Sequence, residues 1–299
     1  MKSIIVKKSK KMDLISYLTS IFPELSSSSI YKALRKKDIR VNNKKITTNV
    51  ILKENDKVDI YIADKILFNL PDTIDIVYED NNILVAYKPQ GILSNNEDNI
   101  DIIEPTFEEL IKNIEPNSVI CHRLDRNTSG LLIFAKNNES YKELLKGFKN
   151  SNISKEYIAY VEGSKFSKKH EVLEKYILKN EKTGYSKIYD YNIKNSKKII
   201  TEYFCLESNK ILDYSILKVI IHTGKTHQIR AQLKNINHPI IGDSKYGKNE
   251  INKKFKVYKQ LLFATNYSFY FNKNSSLYYL NNLNINLDKK YYINKLGSD

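Results

Sequence analysis

The first sixty residues carry two helical stripes followed by an alternating one. In "MDLISYLTSIF" the apolar residues Leu14, Ile15, Leu18 and Ile21 recur at the spacing of one helix face. Pro23 ends that helix, and the serine run 26–29 can cap a second one, "SIYKALRKK". "IRVNNKKI" reads as a short hairpin turning at Asn42-Asn43, because asparagine tolerates the left-handed backbone of such turns. "DKVDIYI" alternates as a strand does. "DKILFNLPD" follows as a linker that ends at Pro71. The pattern predicts a small lobe over 1–64, a linker over 65–73 and a larger domain over 74–299.

From residue 74 onward the strand period dominates, in "IDIVYED", "NILVAYK", "VICH", "LLIFAK", "EYIAYVEG", "TEYFCLE" and "YSILKVIIH". Helical spacing intervenes at 106–113, 139–149 and 226–236. Antiparallel-looking strands with few helices predict an α+β domain rather than a doubly wound sheet. No repeat and no low-complexity tract interrupts it.

Charge changes this picture. The chain has 299 residues and a formal net charge of +15. Residues 1–64 alone hold fourteen Lys/Arg against seven Asp/Glu. Such a field favours a polyanion, nucleic acid above all. The chain is also crowded with Lys, Asn, Ile and Tyr, and that bias inflates lysine everywhere. Rare residue types therefore tell more than common ones. Of forty-nine Lys plus Arg, only Arg35, Arg40, Arg123, Arg126 and Arg230 are arginine.

Two cysteines, Cys121 and Cys205, make no disulfide framework, and no Cys/His spacing fits a zinc site. The N-terminal segment lacks the apolar core of a secretory signal, and no apolar run reaches the length of a membrane span. The expected setting is the reducing cytoplasm, with no metal, no cofactor and a monomeric chain.

Arg123 and Arg126 flank one carboxylate, Asp125, in "HRLDRNTSG" (122–130). Apolar stretches on both sides hold the loop between strands, and Thr128-Ser129-Gly130 supplies a turn. Opposite charge on either side favours the ionised carboxylate, a poor general acid but a candidate nucleophile or base. Taken alone, the segment reads sooner as an ion pair bracing a loop.

"VIIHTGKTHQIRAQL" ends a strand at His222, turns through Thr223-Gly224-Lys225 and opens a helix near Thr226. Arg230 falls one turn into that helix, where it can meet a carboxylate. His222 and His227 read as hydrogen-bonded turn residues, since no third ligand completes a metal site. "AYKPQGIL" runs Lys88, held extended by Pro89, into a turn. "HPIIGDSKYG" is another Pro/Gly-punctuated loop, and the strand "KEYIAYVEG" offers Tyr157.

In this order, "KP.G", "HRLDRNTSG", "K.Y.A.V.G", "HTGKTHQIR" and "HPIIGD" with "YG" resemble the RluA-type RNA pseudouridine synthases over roughly residues 74–270. The small lobe resembles the S4 RNA-binding module, an arrangement also found in that family. The resemblance implies a mixed, mainly antiparallel sheet with a central cleft, and isomerisation of uridines in structured RNA. Large-subunit ribosomal RNA is the expected substrate, with transfer RNA, or RNA binding without catalysis, as alternatives. Asp125 would be the catalytic aspartate, Tyr157 would lie against the uracil, and Arg230 would hold Asp125 in a bidentate grip. Arg123, Arg126, Lys88, Lys225 and His227 would meet RNA at the active site, and Lys32, Arg35 and Lys36 on the lobe. Two positions depart from the family pattern. Lys225 stands where arginine is usual, and "ILSNNED" (92–98) replaces an apolar residue and a histidine.

Overall fold

A computed structural model of the chain describes residues 1–7, 12–96, 104–166 and 168–296. The chain divides into two compact units: residues 1–73 with 91–109, and residues 74–90 with 110–299.

The first unit packs two helices with a small sheet. Asp13 caps Leu14–Ile21 by accepting from the Ser16 amide at 3.0 Å. Ser26 caps Ser27–Lys36 by accepting from the Ser29 amide at 3.1 Å. Each cap satisfies one of the amides that a helix start leaves without a partner. Leu14, Leu18, Ile30 and Leu34 then enter a core shared with Val58 and Ile60. The sheet runs in the order Lys2–Ile5, Lys57–Ile60, Ile39–Val41, Lys44–Lys45. Its hairpin turns at Asn42 (φ 50°) and Asn43 (φ 66°), both left-handed. The stretch expected as a linker departs from expectation. Asp64–Leu67 is a helix, and Leu67 and Phe68 are buried in this core, because their apolar side chains reach a surface already lined by apolar groups. Lys32, Arg35 and Lys36 lie exposed on the second helix.

The second unit is built on an eleven-stranded sheet. Its main path begins Ser186–Tyr189, His170–Lys179, Lys197–Asn209, Tyr214–Ile221 and Ile153–Glu162. It continues through Leu262–Phe269, Ser129–Ala135, Ile83–Lys88 and Ile76–Glu79. Leu262–Phe269 and Ser129–Ala135 pair in parallel, whereas the other neighbouring strands of the sheet run antiparallel. This is the mixed, mainly antiparallel α+β architecture. Four of its strands, His170–Lys179, Ser186–Tyr189, Leu262–Phe269 and Asn284–Asn286, fall where the sequence pattern marks none.

Backbone proximity at the parallel pair fixes the aspartate loop. Gly130 has φ +122°, and a Cβ there would sit 2.2 Å from the Ala264 carbonyl oxygen. At the other side of the same strand, Ala264 is the register partner of Tyr157. One residue therefore sets the loop and the Tyr157 strand against each other. His122 ties down the loop's start. Its Nε2 accepts from the Ile133 amide at 3.1 Å, and its ring lies among Phe148 and Tyr267. Burial pulls the imidazole down to about 3, so it stays neutral and serves as an acceptor.

Gly130→Ala should cost about 2–4 kcal/mol in denaturant unfolding, because the added methyl meets backbone and the φ is unsuited to an L side chain. A variant as stable as the parent would show that the two strands can separate freely.

Candidate active site

Asp125 sits a quarter exposed at the centre of its loop. Among the described residues, the guanidinium that pairs with it comes from neither flanking arginine. It is Arg230, from the helix Gln228–Asn235, whose Nη1 donates to Asp125 Oδ2 at 2.7 Å. Arg123 is exposed and Arg126 half-buried on the rim of the loop.

The fork of Arg230 does not close on Asp125, in contrast to the bidentate grip expected from the sequence. It closes on Asp243. Nε donates to Asp243 Oδ2 at 2.7 Å and Nη2 to Oδ1 at 3.0 Å. The physical reason is burial. The Asp243 side chain is wholly enclosed and cannot stay charged without two strong donors, whereas Asp125 keeps access to solvent. Burial pushes the Asp243 carboxyl up, yet the Arg230 hydrogen bonds and charge outweigh it and leave it below the ordinary range. The same pairing overrides burial at Arg230 and holds the guanidinium firmly protonated. The amides of Lys245 and Tyr246 complete Asp243 Oδ1 at 2.8 and 3.0 Å. Gly242 makes this turn passable: φ is +82°, and a Cβ would meet the Lys259 carbonyl oxygen at 2.2 Å.

Tyr246 supports the arginine from beneath, its ring 5.1 Å from the guanidinium carbon. Its hydroxyl accepts from the Ser186 amide at 2.7 Å and meets His227 Nδ1 at 3.0 Å. His227 opens the helix with a left-handed φ of 59°. Its Nε2 lies 3.8 Å from Asp125 Oδ2. Burial depresses the ring to about 4, more than Asp125 raises it, so the imidazole is neutral and polar rather than a second cation.

The helix itself is moored by buried amides. Gln228 Nε2 donates to Thr201 Oγ1 at 2.8 Å, and its Oε1 accepts from Thr223 Oγ1 at 2.9 Å. Gln232 bonds Thr201 and donates to the Leu173 carbonyl at 3.0 Å. Tyr157 is 5% exposed on Ile153–Glu162. Burial first, and then the negative charge of Asp125, keeps its phenol protonated.

Lys88 stands corrected as a phosphate contact. It is fully buried, and its ammonium donates to the carbonyls of Pro89 and Arg126, each at 3.0 Å. Burial pulls it down to about 7, against the Asp125 charge that raises it. Its position makes it a brace beneath the aspartate loop. Lys225 is exposed on the turn before the helix. Of the segment 92–98, Glu97 and Asp98 lie outside the described residues. Asp243, Tyr246, Gln228 and Gln232 went unassigned in the sequence. The signal for Asp243 was there, a carboxylate directly after a glycine in "HPIIGDSKYG". Among the described residues no group of three His, Cys, Asp or Glu side chains could hold a metal ion.

Known proteins resemble this chain in sequence and in fold. The family model described as RNA pseudouridylate synthase matches residues 82–235. Ribosomal large subunit pseudouridine synthase C of Rickettsia bellii is 31% identical over 257 residues, covering 79% of this chain and 82% of its own length. Ribosomal large subunit pseudouridine synthase D of Buchnera aphidicola is 38% identical over 146 residues, 49% of this chain and 42% of its own. Among solved structures, human RNA Pseudouridylate Synthase Domain Containing 4 superposes with a TM-score of 0.58 at 20% identity, over 74% of this chain and 91% of that one, a likeness of fold. Matched over more than half its length by the family model, and over most of it by a relative, the chain belongs to the RNA pseudouridylate synthases, isomerases that convert uridine to pseudouridine within RNA.

Proposed function

We propose that this enzyme isomerises uridines of large-subunit ribosomal RNA in the cytoplasm, with Asp125 as the catalytic carboxylate. The observation that carries the assignment of Asp125 is its oriented ion pair with Arg230. Both polar side-chain contacts fall on Oδ2, from Arg230 and His227. Among the described residues Oδ1 makes no hydrogen bond, and it is the oxygen left for the sugar. The ribosomal target is supported by the relative from Rickettsia bellii, whose match extends well beyond residues 82–235.

In the reaction the N1–C1′ bond breaks, the uracil turns, and a C5–C1′ bond forms while C5 loses its proton and N1 gains one. No electrons are gained or lost overall. An ionised Asp125 can act on the sugar once the uracil leaves as an anion. The target must be drawn out of its stack to arrive there, at a cost of a few kcal/mol. Tyr157 offers an aromatic surface for the base, worth about 1–3 kcal/mol in comparable stacks. Arg230 is a positioning residue: it aims Asp125 and is itself aimed by Asp243. Arg123, Arg126 and Lys225 line the approach for the phosphate backbone.

The small lobe resembles an S4 module, and its exposed Lys32, Arg35 and Lys36 suit RNA phosphates without sequence preference.

Asp125→Asn should abolish tritium release from uridine labelled at C5 in unmodified ribosomal RNA, while RNA binding persists. Substantial turnover by this variant would remove Asp125 from the chemistry. Arg230→Lys keeps the charge but not the fork, and should slow single turnover about 10²-fold through a loosened Asp125. A normal rate with only a lowered melting temperature would reduce Arg230 to a brace. Replacing Lys32, Arg35 and Lys36 together by Gln should flatten the slope of log affinity against log salt by about 0.7–0.9 for every phosphate that the lobe no longer neutralises. An unchanged slope would show that the lobe does not touch RNA through this face.

A further inference from the structure

Beside the active site lies an open cleft of about 210 Å³ with no assigned role. It is lined by Lys155, Ser154, His222, Thr223 and Gly224, with the aromatic walls Phe148 and Tyr270. Its lysine is unusual. Lys155 Nζ lies 5.3 Å from the centre of the Phe148 ring, and a Cβ on Gly224 would come within 3.3 Å of that nitrogen. Among the described residues no carboxylate pairs with it, and the charge that acts on it most directly is another cation, Lys225. Burial lowers the ammonium to about 8, which leaves it mostly charged at neutral pH. Glu202, which reaches the cleft residue His222, is already shared between His222 Nε2 at 3.1 Å and His170 Nε2 at 2.7 Å.

Two cations brought together without a carboxylate make a site for an anion. Strand geometry says which one. Lys155 and Tyr157 are two residues apart on one strand whose pairing with Tyr214–Ile221 is regular through both, at Ile221 and Val219, and the register shift against Leu262–Phe269 between Glu156 and Tyr157 leaves the extra residue, Thr265, on the neighbouring strand. They therefore point to the same face, roughly 6.5 Å apart along the strand. That is one step along an extended polynucleotide from a base lying on Tyr157. We propose that this cleft is a phosphate subsite, in which Lys155 and Lys225 hold the backbone phosphate next to the target uridine while Phe148 and Tyr270 flank the adjoining nucleoside. The proposal rests on the RNA substrate and on the role of Tyr157 given above.

The test is filter binding of the full chain to unmodified large-subunit ribosomal RNA across a salt series, with tritium release measured on the same RNA. Lys155→Gln should weaken binding about tenfold and lower the salt slope by roughly 0.7. Lys155→Arg should restore the slope. Lys155→Met, which fits the aromatic wall without a charge, gives the same reading should the Gln variant fold poorly. A parental slope and affinity in the uncharged variants overturns the subsite, as does a weakened affinity with no change in slope, which marks a structural role. The two readings fail separately. If the parent binds with a Lys155-dependent slope but releases no tritium, the activity on this RNA fails and the subsite stands. If the parent releases tritium with a slope indifferent to Lys155, only the subsite fails.

Discussion

The buried fork between Arg230 and Asp243 is the constraint on which the active site depends. A carboxylate with no solvent access can remain charged only beside a fixed cation, and that cation can be fixed only by a partner that does not move. Each supplies the other's requirement. Breaking such a pair by removing one partner typically costs about 3–5 kcal/mol, since the survivor is left as an uncompensated buried charge. Here the pair has a third member. Once Nε and Nη2 are committed to Asp243, the guanidinium plane is set, and Nη1 has one direction in which to donate. Asp125 lies in it. The solvent-accessible aspartate is thus aimed by a group whose own orientation was settled in the interior.

Two close backbone approaches bring these residues together. Gly130 lets the strand after the aspartate loop run against Ala264, and Gly242 lets the Asp243 turn pass beneath the Lys259 carbonyl. Ala264 is also opposite Tyr157. The loop, the tyrosine and the arginine's anchor are therefore referenced to neighbouring strands of one sheet. Lys88 adds a fixed point from below, donating to the carbonyl of Arg126 one residue past Asp125. These supports make the geometry stiff before substrate arrives, which is where catalytic groups gain most from positioning.

Local order was legible in the sequence where one interaction decided it. Serine and asparagine placed the cap at Ser26 and the hairpin at Asn42-Asn43, and apolar spacing placed the helix that carries Arg230. Strand pattern failed at His170–Lys179, where lysine and glutamate interrupt the alternation, and at Leu262–Phe269, whose residues are buried on nearly every position and show none. The site was legible as rare residues in short loops. What those residues pair with was not, because pairing is decided by burial. Asp125 and Asp243 look alike in sequence, and only the fold tells which is enclosed and so claims the fork. The same blindness made Lys88 look like an RNA contact, and left Lys155 hidden in a strand.

Burial also explains why arginine survives in a chain that prefers lysine. Lys88 and Lys155 both lie in poorly solvated places, and both are drawn down, to about 7 and about 8. Neither task suffers greatly. Lys88 must donate to carbonyls, which an amine can still do, and Lys155 meets an anion that would restore its charge. Position 230 has no such latitude. Its charge must persist through burial, because Asp243 depends on it in the interior. A guanidinium is protonated under any condition that the fold survives, and its plane can serve two carboxylates while lying over the Tyr246 ring. Lysine suffices where a charge can be lent by the ligand. Arginine is kept where the charge has to be there first.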